Sequence, residues 1–358
     1  MKKLHRYLGL VMALFWLAQA VTGVILVFRW ELDDVSVGGT WAPADAQALG
    51  SRIDAIAQEG GQVSSVWSNS MGADRFDITY TDAAGAERVM RVDGAGHVFR
   101  DRPDDMRLSQ GGVYDVLTRF HHSLFVGSTG VWIVAISGLL LLSNLIFGLK
   151  LALPRLAMWR RALFAKPAGN SHAQLYGWHR VVGLWGTVPA LLIVAAGVLI
   201  VIKDEVGDAL GASVPTPVAP AASGTNIGAA QVGAGQAIAI ALDRFPGSTL
   251  TALSMPGSDE PWYRIRVRAP EEISRMWGTT TVFVSAEDGR IISAHPAETA
   301  STARSFAEFV YPLHTGQIAG TGGRMALLLI GAWLITMIVL GTKLWYSRNS
   351  RVSAQPQR

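Results

Sequence analysis

The chain of 358 residues contains no cysteine. That excludes disulfides, thiolate metal sites, iron–sulfur clusters and the C-x-x-C-H attachment of c-type haem. Charge is scarce as well. Only 16% of residues are Asp, Glu, Lys or Arg, and the formal net charge is +4. So small a basic excess leaves no nucleic-acid footprint. A phosphate-cradling P-loop, a dinucleotide glycine fingerprint, a Ser/His/Asp arrangement and the zinc spacing H-E-x-x-H are all missing.

What the chain has instead is apolar length. Half the residues are hydrophobic, and the mean hydropathy of +0.28 suits a membrane protein with sizeable soluble parts. Stretches at roughly 8–28, 131–149, 181–202 and 325–344 are each long enough for the ~20 helical residues that cross a bilayer core. In lipid the backbone must pair internally, so each is predicted to be a helix. The first has a rival reading as a cleavable signal peptide ending near Ala18-Gln19-Ala20. Its apolar run continues to Phe28, however, and a similar segment recurs inside the chain.

Basic residues orient the spans. Lys2 and Lys3 precede the first; Lys150, Arg155, Arg160, Arg161 and Lys166 lie between the second and third; Lys343, Arg348 and Arg351 follow the fourth. The positive-inside bias places both termini in the cytoplasm and two long polar segments on the opposite side. The expected order is helix 1–30, outer domain 31–118, helix 119–153, cytoplasmic loop 154–177, helix 178–203, outer domain 204–310, helix 311–346 and tail 347–358. Each polar segment opens with a helix-like stretch (45–58; 235–245) and continues in alternating strand patterns (75–80, 87–92, 97–99; 262–267, 280–284, 290–292), reading as a small α+β domain. Residues 211–235, rich in Pro, Ala, Gly and Ser, read as a linker.

The two halves repeat. His5-Arg6-Tyr7-Leu8-Gly9-Leu10 recurs as His179-Arg180-Val181-Val182-Gly183-Leu184, and Gly23, Glu31 and Asp34 align without a gap with Gly197, Glu205 and Asp208. Downstream, His121, Gly130, Gly138, Gly148 and Lys150 align with His314, Gly323, Gly331, Gly341 and Lys343. The fold class is therefore an α-helical four-helix transmembrane bundle carrying two α+β domains, built by internal tandem duplication. Its pseudo-twofold axis runs along the membrane normal.

That axis relates His5 to His179 near the cytoplasmic face and His121 to His314 near the outer face. If each pair faces the axis, two neutral imidazoles can clamp one planar cofactor from opposite sides. This is the requirement for bis-histidine ligation of non-covalent b-type haem. His122 stays open as the alternative to His121. His97, His172 and His295 lack duplicated partners and read as solvated. Arg6 and Arg180 are candidate partners for haem propionates, with snorkelling as the alternative. Trp16, Trp132, Trp178, Trp185 and Trp333 are packing or interface-belt residues that could also line a porphyrin. Asn144 is read as an interhelical hydrogen bonder. Arg264, Arg266 and Arg268 alternate along one strand near Arg275 and Trp277, a face that could attract an anionic ligand, with a solvated strand face as the plainer reading.

With these residues in view the chain resembles the PepSY-associated transmembrane-helix family. The resemblance rests on His5-Arg6-x-x-Gly9-Leu10, Arg119-Phe120-His121-His122-Ser123-Leu124, His179-Arg180-x-x-Gly183-Leu184, Leu313-His314-Thr315-Gly316 and the Asp-Gly turns at Asp93-Gly94 and Asp288-Gly289. It implies PepSY-like periplasmic domains and an inner-membrane protein with two b-type haems. It further implies electron transfer to a periplasmic ferric-siderophore or other ferric chelate. No fused flavin or NADPH module follows the fourth helix, so quinol or a separate cytoplasmic reductase is the expected donor. Two alternatives stay open: a cytochrome serving a protein or quinone acceptor, and a non-redox PepSY binding or regulatory protein.

Overall fold

The computed structural model describes residues 1–72, 74–105, 107–164, 166–218 and 231–353. Residues 219–230 of the expected linker lie outside the described residues. In chain order the elements are α1 (Lys2–Val11), α2 (Ala13–Leu26), α3 (Arg29–Val37), α4 (Ala46–Gln58), β1 (Gln62–Ser68), β2 (Arg75–Thr81), β3 (Glu87–Asp93), β4 (Val98–Pro103), α5 (Gly112–Ser123), α6 (Gly127–Ala152), α7 (Trp159–Phe164) and α8 (Ser171–Ala209). They continue with α9 (Ala234–Arg244), β5 (Thr249–Ser254), β6 (Trp262–Arg268), β7 (Thr280–Ser285), β8 (Ile291–His295), α10 (Thr302–His314) and α11 (Gly320–Ser353). Contacts divide the chain into an apolar-helix unit (Met1–Val27, Leu117–Asp204, Val310–Arg358) and a sheet unit (Phe28–Val116, Glu205–Phe309).

In the apolar-helix unit, three segments among the described residues are long and apolar enough to cross a membrane: Gly127–Ala152, Ser171–Lys203 and Gln317–Arg348. The expected first span is broken. α1 and α2 meet at Met12 with a bend of 64° and pass the same test only as a pair. α2 packs along α11, and α1 contacts both α6 and α11. Small residues let these helices approach: Gly331 lies against Val24, Gly138 against Val198 and Gly186 under the Trp333 ring. α2 ends at Val27, where its last carbonyls lose their helical donors. The buried Arg324 guanidinium supplies one, donating to the Val27 carbonyl from Nε (3.1 Å) and from a terminal nitrogen (2.7 Å). In α8 the helix runs on through the equivalent Val201, so no such cap is needed there.

The sheet unit corrects the expectation of two separate α+β domains. Its eight strands form one antiparallel sheet in the order β4-β3-β2-β1-β5-β6-β7-β8. β1 and β5 join the halves, with Val66 opposite Leu253 and Trp67 opposite Ala252. On one face, α4 and α9 pack side by side. Leu49, Ile53 and Ile56 from α4, and Ala237, Ile238 and Ala241 from α9, meet Val66, Phe76, Ile78, Leu250, Leu253, Ile265, Val282 and Val284 in one core. Each large aliphatic side chain fully buried there contributes about 1.5–3 kcal/mol. The two helices touch at glycines: a Cβ on Gly50 would lie 2.6 Å from the Gly235 Cα.

The opposite face is polar and internally paired. Asp33 and Asp34 on α3 are buried against Arg75, Arg91 and Arg100, with ion pairs of 2.7–3.2 Å. Isolated buried charges would be costly, so these residues stand or fall together. Trp277 donates to the Ser68 carbonyl at 3.0 Å and meets Trp67 edge-on, tying the second half's β6–β7 loop to β1. The arginine row on β6 is largely engaged as well. Arg268 donates to the carbonyls of Met71 and Arg275, and Arg266 and Arg275 approach Glu308 at 3.9 and 3.5 Å. Arg264 alone of the row is exposed. The row is thus chiefly a packing device. Pro312 in α10 cannot donate to the Glu308 carbonyl one turn earlier, and Arg275 fills that gap.

Candidate functional site

The site is built from pairs of histidines. His5 lies on α1 and His179 on α8, and their ring centroids are 6.3 Å apart with planes inclined by 54°. His121, in the last turn of α5, and His314, the last residue of α10, have centroids 6.5 Å apart and planes inclined by 36°. Both of these helices stop abruptly before an apolar one. After α5 the backbone turns left-handed at Leu124, Phe125 and Gly127, and after α10 at Gly316 and Gly320. The outer histidines therefore sit on separate short helices, not on continuous extensions of α6 and α11 as expected.

The spacing has a chemical meaning. A first-row metal ion sits about 2 Å from an imidazole nitrogen, and that nitrogen is about 1 Å from its ring centre, so two rings holding one ion from opposite sides have centroids about 6 Å apart. Both pairs meet this spacing. Either ring can stand edge-on to a macrocycle at these inclinations, because rotation about the metal–nitrogen bond does not alter ligation. Among the described residues no group of three or more His, Asp or Glu side chains gathers to hold a metal ion. The donor set is thus imidazole in pairs at that spacing, which fits haem iron, whose remaining ligands a porphyrin would supply.

Hydrogen bonds fix the tautomers. The His5 Nδ1 lies 3.0 Å from the Asn144 carbonyl, and the His314 Nδ1 lies 2.9 Å from the Ile193 carbonyl. A carbonyl only accepts, so Nδ1 carries the proton and Nε2 keeps its lone pair. His121 Nδ1 is 3.0 Å from the Thr22 hydroxyl, which itself donates to the Ala18 carbonyl at 2.8 Å, so it too receives the Nδ1 proton. Such outer-shell bonds orient a ligating imidazole and raise its basicity. The Nδ1 of His179 is buried without a hydrogen-bond partner.

The other candidates sort as follows. His122 is exposed, its ring centroid 6.0 Å from that of His121, while His121 faces His314. Arg180 donates to the Ala152 carbonyl at 3.2 Å, capping the end of α6, and the Arg6 guanidinium lies over the Tyr7 ring at 4.8 Å. Trp16 is buried and donates to the Ser137 hydroxyl at 3.2 Å, and Trp333 donates to the Val182 carbonyl at 2.7 Å. Trp132, Trp178 and Trp185 are exposed on apolar helices. His97 is exposed beside Asp93, His295 lies near the Ser293 hydroxyl, and His172 meets the Ser347 hydroxyl. Sequence reasoning missed Thr22, whose repeat partner is Ala196, and the carbonyls that receive Nδ1. A hydroxyl one residue before the repeated Gly23 was the available signal.

No curated protein was found that matches the chain. The sequence model of the PepSY-associated TM region matches residues 2–348, nearly the whole chain. With its apolar helices, its antiparallel sheet and that match, the chain belongs to the PepSY-associated TM region family.

Proposed function

We propose that this chain is a transmembrane b-type cytochrome that passes electrons outward across the inner membrane to a ferric-siderophore or other ferric chelate. The observation that carries the reading is the pair of imidazole clamps, each spaced for one ion and together joining both halves of the repeat. The bent α1–α2 segment is taken as one span, giving four spans and a duplicated bundle. The mirrored strand order of the sheet supports the duplication. The basic residues after α6 and α11 support cytoplasmic termini and a periplasmic sheet unit.

Haem bound between the imidazoles would supply reversible one-electron exchange. His5 and His179 would hold it at the cytoplasmic position and His121 and His314 at the periplasmic one. The Asn144 and Ile193 carbonyls and the Thr22 hydroxyl hold Nδ1 as the donor and aim the rings. The apolar helices exclude water from both positions. A quinol or a separate cytoplasmic reductase would donate at the inner position. One electron delivered at the outer position would convert a bound Fe(III) chelate to Fe(II), which oxygen-rich chelators hold less tightly because the ion carries less charge.

Ligand substitution in the purified chain tests this. His121→Ala and His314→Ala should each abolish the low-spin spectrum of one site and leave the other, and His122→Ala should leave both. Loss with His122→Ala but not with His121→Ala would overturn the assignment. Reduced protein should be re-oxidised by ferric siderophore faster than by buffer. Equal rates would count against direct iron reduction.

A further inference from the structure

Each of the four histidines lies on a glycine of a neighbouring helix. A Cβ built on Gly148 would stand 2.9 Å from the Cε1 of His5, on Gly23 3.1 Å from that of His121, on Gly197 2.7 Å from that of His314, and on Gly341 3.4 Å from that of His179. Gly23 and Gly197 are one repeated pair and Gly148 and Gly341 the other. The hydrogen bonds of three of the four follow the same rule, His179 having no partner at Nδ1. His5 binds the carbonyl of Asn144 and His314 that of Ile193, and His121 is bonded to the backbone of Gln19. Each of these residues lies four positions before the glycine in question.

The rule has a physical origin. In a helix the carbonyl of residue i already accepts from the N–H of residue i+4 and has a second lone pair to offer. Residue i+4 stands directly over that carbonyl on the same face. A side chain there would cover the lone pair, and glycine leaves it open to an imidazole from the next helix.

We infer that Gly23, Gly148, Gly197 and Gly341 are positioning residues, each the floor on which one imidazole lies so that its Nε2 faces the opposing histidine. The inference rests on the cytochrome reading. It is site-specific and graded. Ordinary carbon contacts fall at about 3.5–4.0 Å. An added methyl at Gly197 would meet two His314 ring atoms at 2.7 and 3.0 Å, whereas one at Gly341 would make an almost ordinary contact. Gly138 is a control. A Cβ there meets only the end of the Val198 side chain, at 2.6 Å, with no histidine involved.

The test uses the full chain in detergent or nanodiscs, with haem stoichiometry and low-spin electron paramagnetic resonance read for wild type, Gly197→Ala, Gly341→Ala and Gly138→Ala. Gly197→Ala should reduce the outer site's low-spin signal at least tenfold and keep the inner one. Gly341→Ala, with the mildest of the four contacts, should weaken only the inner site's signal and by less than Gly197→Ala weakens the outer one, and Gly138→Ala should favour neither site. An intact outer signal in Gly197→Ala, or a loss shared equally by both sites, overturns the inference alone. Haem-free wild type overturns the cytochrome reading and the inference with it.

Discussion

Adding one methyl at Gly50 probes whether the two halves of the sheet unit are one cooperative structure. The new Cβ would lie 2.6 Å from the Gly235 Cα and 2.7 Å from its nitrogen, both backbone atoms that cannot rotate aside. Carbon atoms prefer about 3.5–4.0 Å, so α4 and α9 must part by about 1 Å. Both helices are anchored by nearly fully buried side chains, Leu49 and Ile53 on α4 and Ala237 and Ile238 on α9. Over-packing of this kind costs about 1–3 kcal/mol. For a domain of this size each kcal/mol lowers Tm by about 2–4 °C. Gly50→Ala should therefore lower the melting temperature by roughly 2–12 °C. Hydrogen exchange should quicken in β1–β2 and in β5–β6 alike, because α4 and α9 lie over one continuous sheet. Gly257, with nothing near its would-be Cβ, is the control, and Gly257→Ala should change neither. Quickened exchange confined to one half, or an unchanged Tm, would refute the reasoning.

Three further outcomes follow from the same contacts. Arg91→Leu removes one of the two arginines that each of the buried Asp33 and Asp34 pairs with, and the ion-pair partner of Asp77; Arg100 and Arg75 remain, so the cost should fall below the about 3–5 kcal/mol of a fully broken buried pair yet be measurable as a fall in Tm. Burial opposes ionisation of Asp93, but hydrogen bonds from the His97 backbone and ring and from Thr40 outweigh it and hold its carboxyl below the usual range. Its contribution is thus fully present above the ordinary carboxylate pKa and is lost as pH falls through the lowered value. Asp93→Asn should accordingly be less acid-sensitive than wild type while less stable at neutral pH, as equilibrium unfolding at several pH values would show. Thr22→Val removes the hydroxyl acceptor of His121 Nδ1 and should weaken haem retention at the outer position by about 10–100-fold, with Thr22→Ser close to wild type in a haem-transfer assay.

Much of this molecule could be read from its sequence where periodicity was clean. β2 and β6 alternate apolar and polar residues and begin at Arg75 and Trp262, as the pattern indicated. α4 starts after Asp45, whose carboxylate accepts from the Ala48 N–H at 2.7 Å. β1 and β5 were not legible. Their serines and threonines, as in Gln62–Ser68, mask the alternation, and each is held as a strand by its hairpin neighbour, β2 or β6, and by pairing with the other across the two halves. That long-range pairing also turned two expected domains into one sheet. The break at Met12 was hidden because no proline marks it and the apolar run continues across it, while Gly9 just before it has its repeat partner Gly183 inside the unbroken α8. For the site, duplication named His5 with His179 and His121 with His314, and the ring centroids of these pairs lie 6.3 and 6.5 Å apart. The support around them was not legible, because backbone carbonyls carry no residue-type signal. Only the repeated glycines left a trace.

Two imidazole pairs that each hold one haem would give the chain a countable haem content. The most direct measurement is the haem content of the full-length chain purified after expression with ample haem, read by pyridine haemochrome together with its low-spin spectrum. About two b-type haems per chain are expected, falling to about one when His121 or His314 is replaced by alanine. A chain with no Soret band, or one whose haem content is unchanged by both substitutions, would contradict the cytochrome reading.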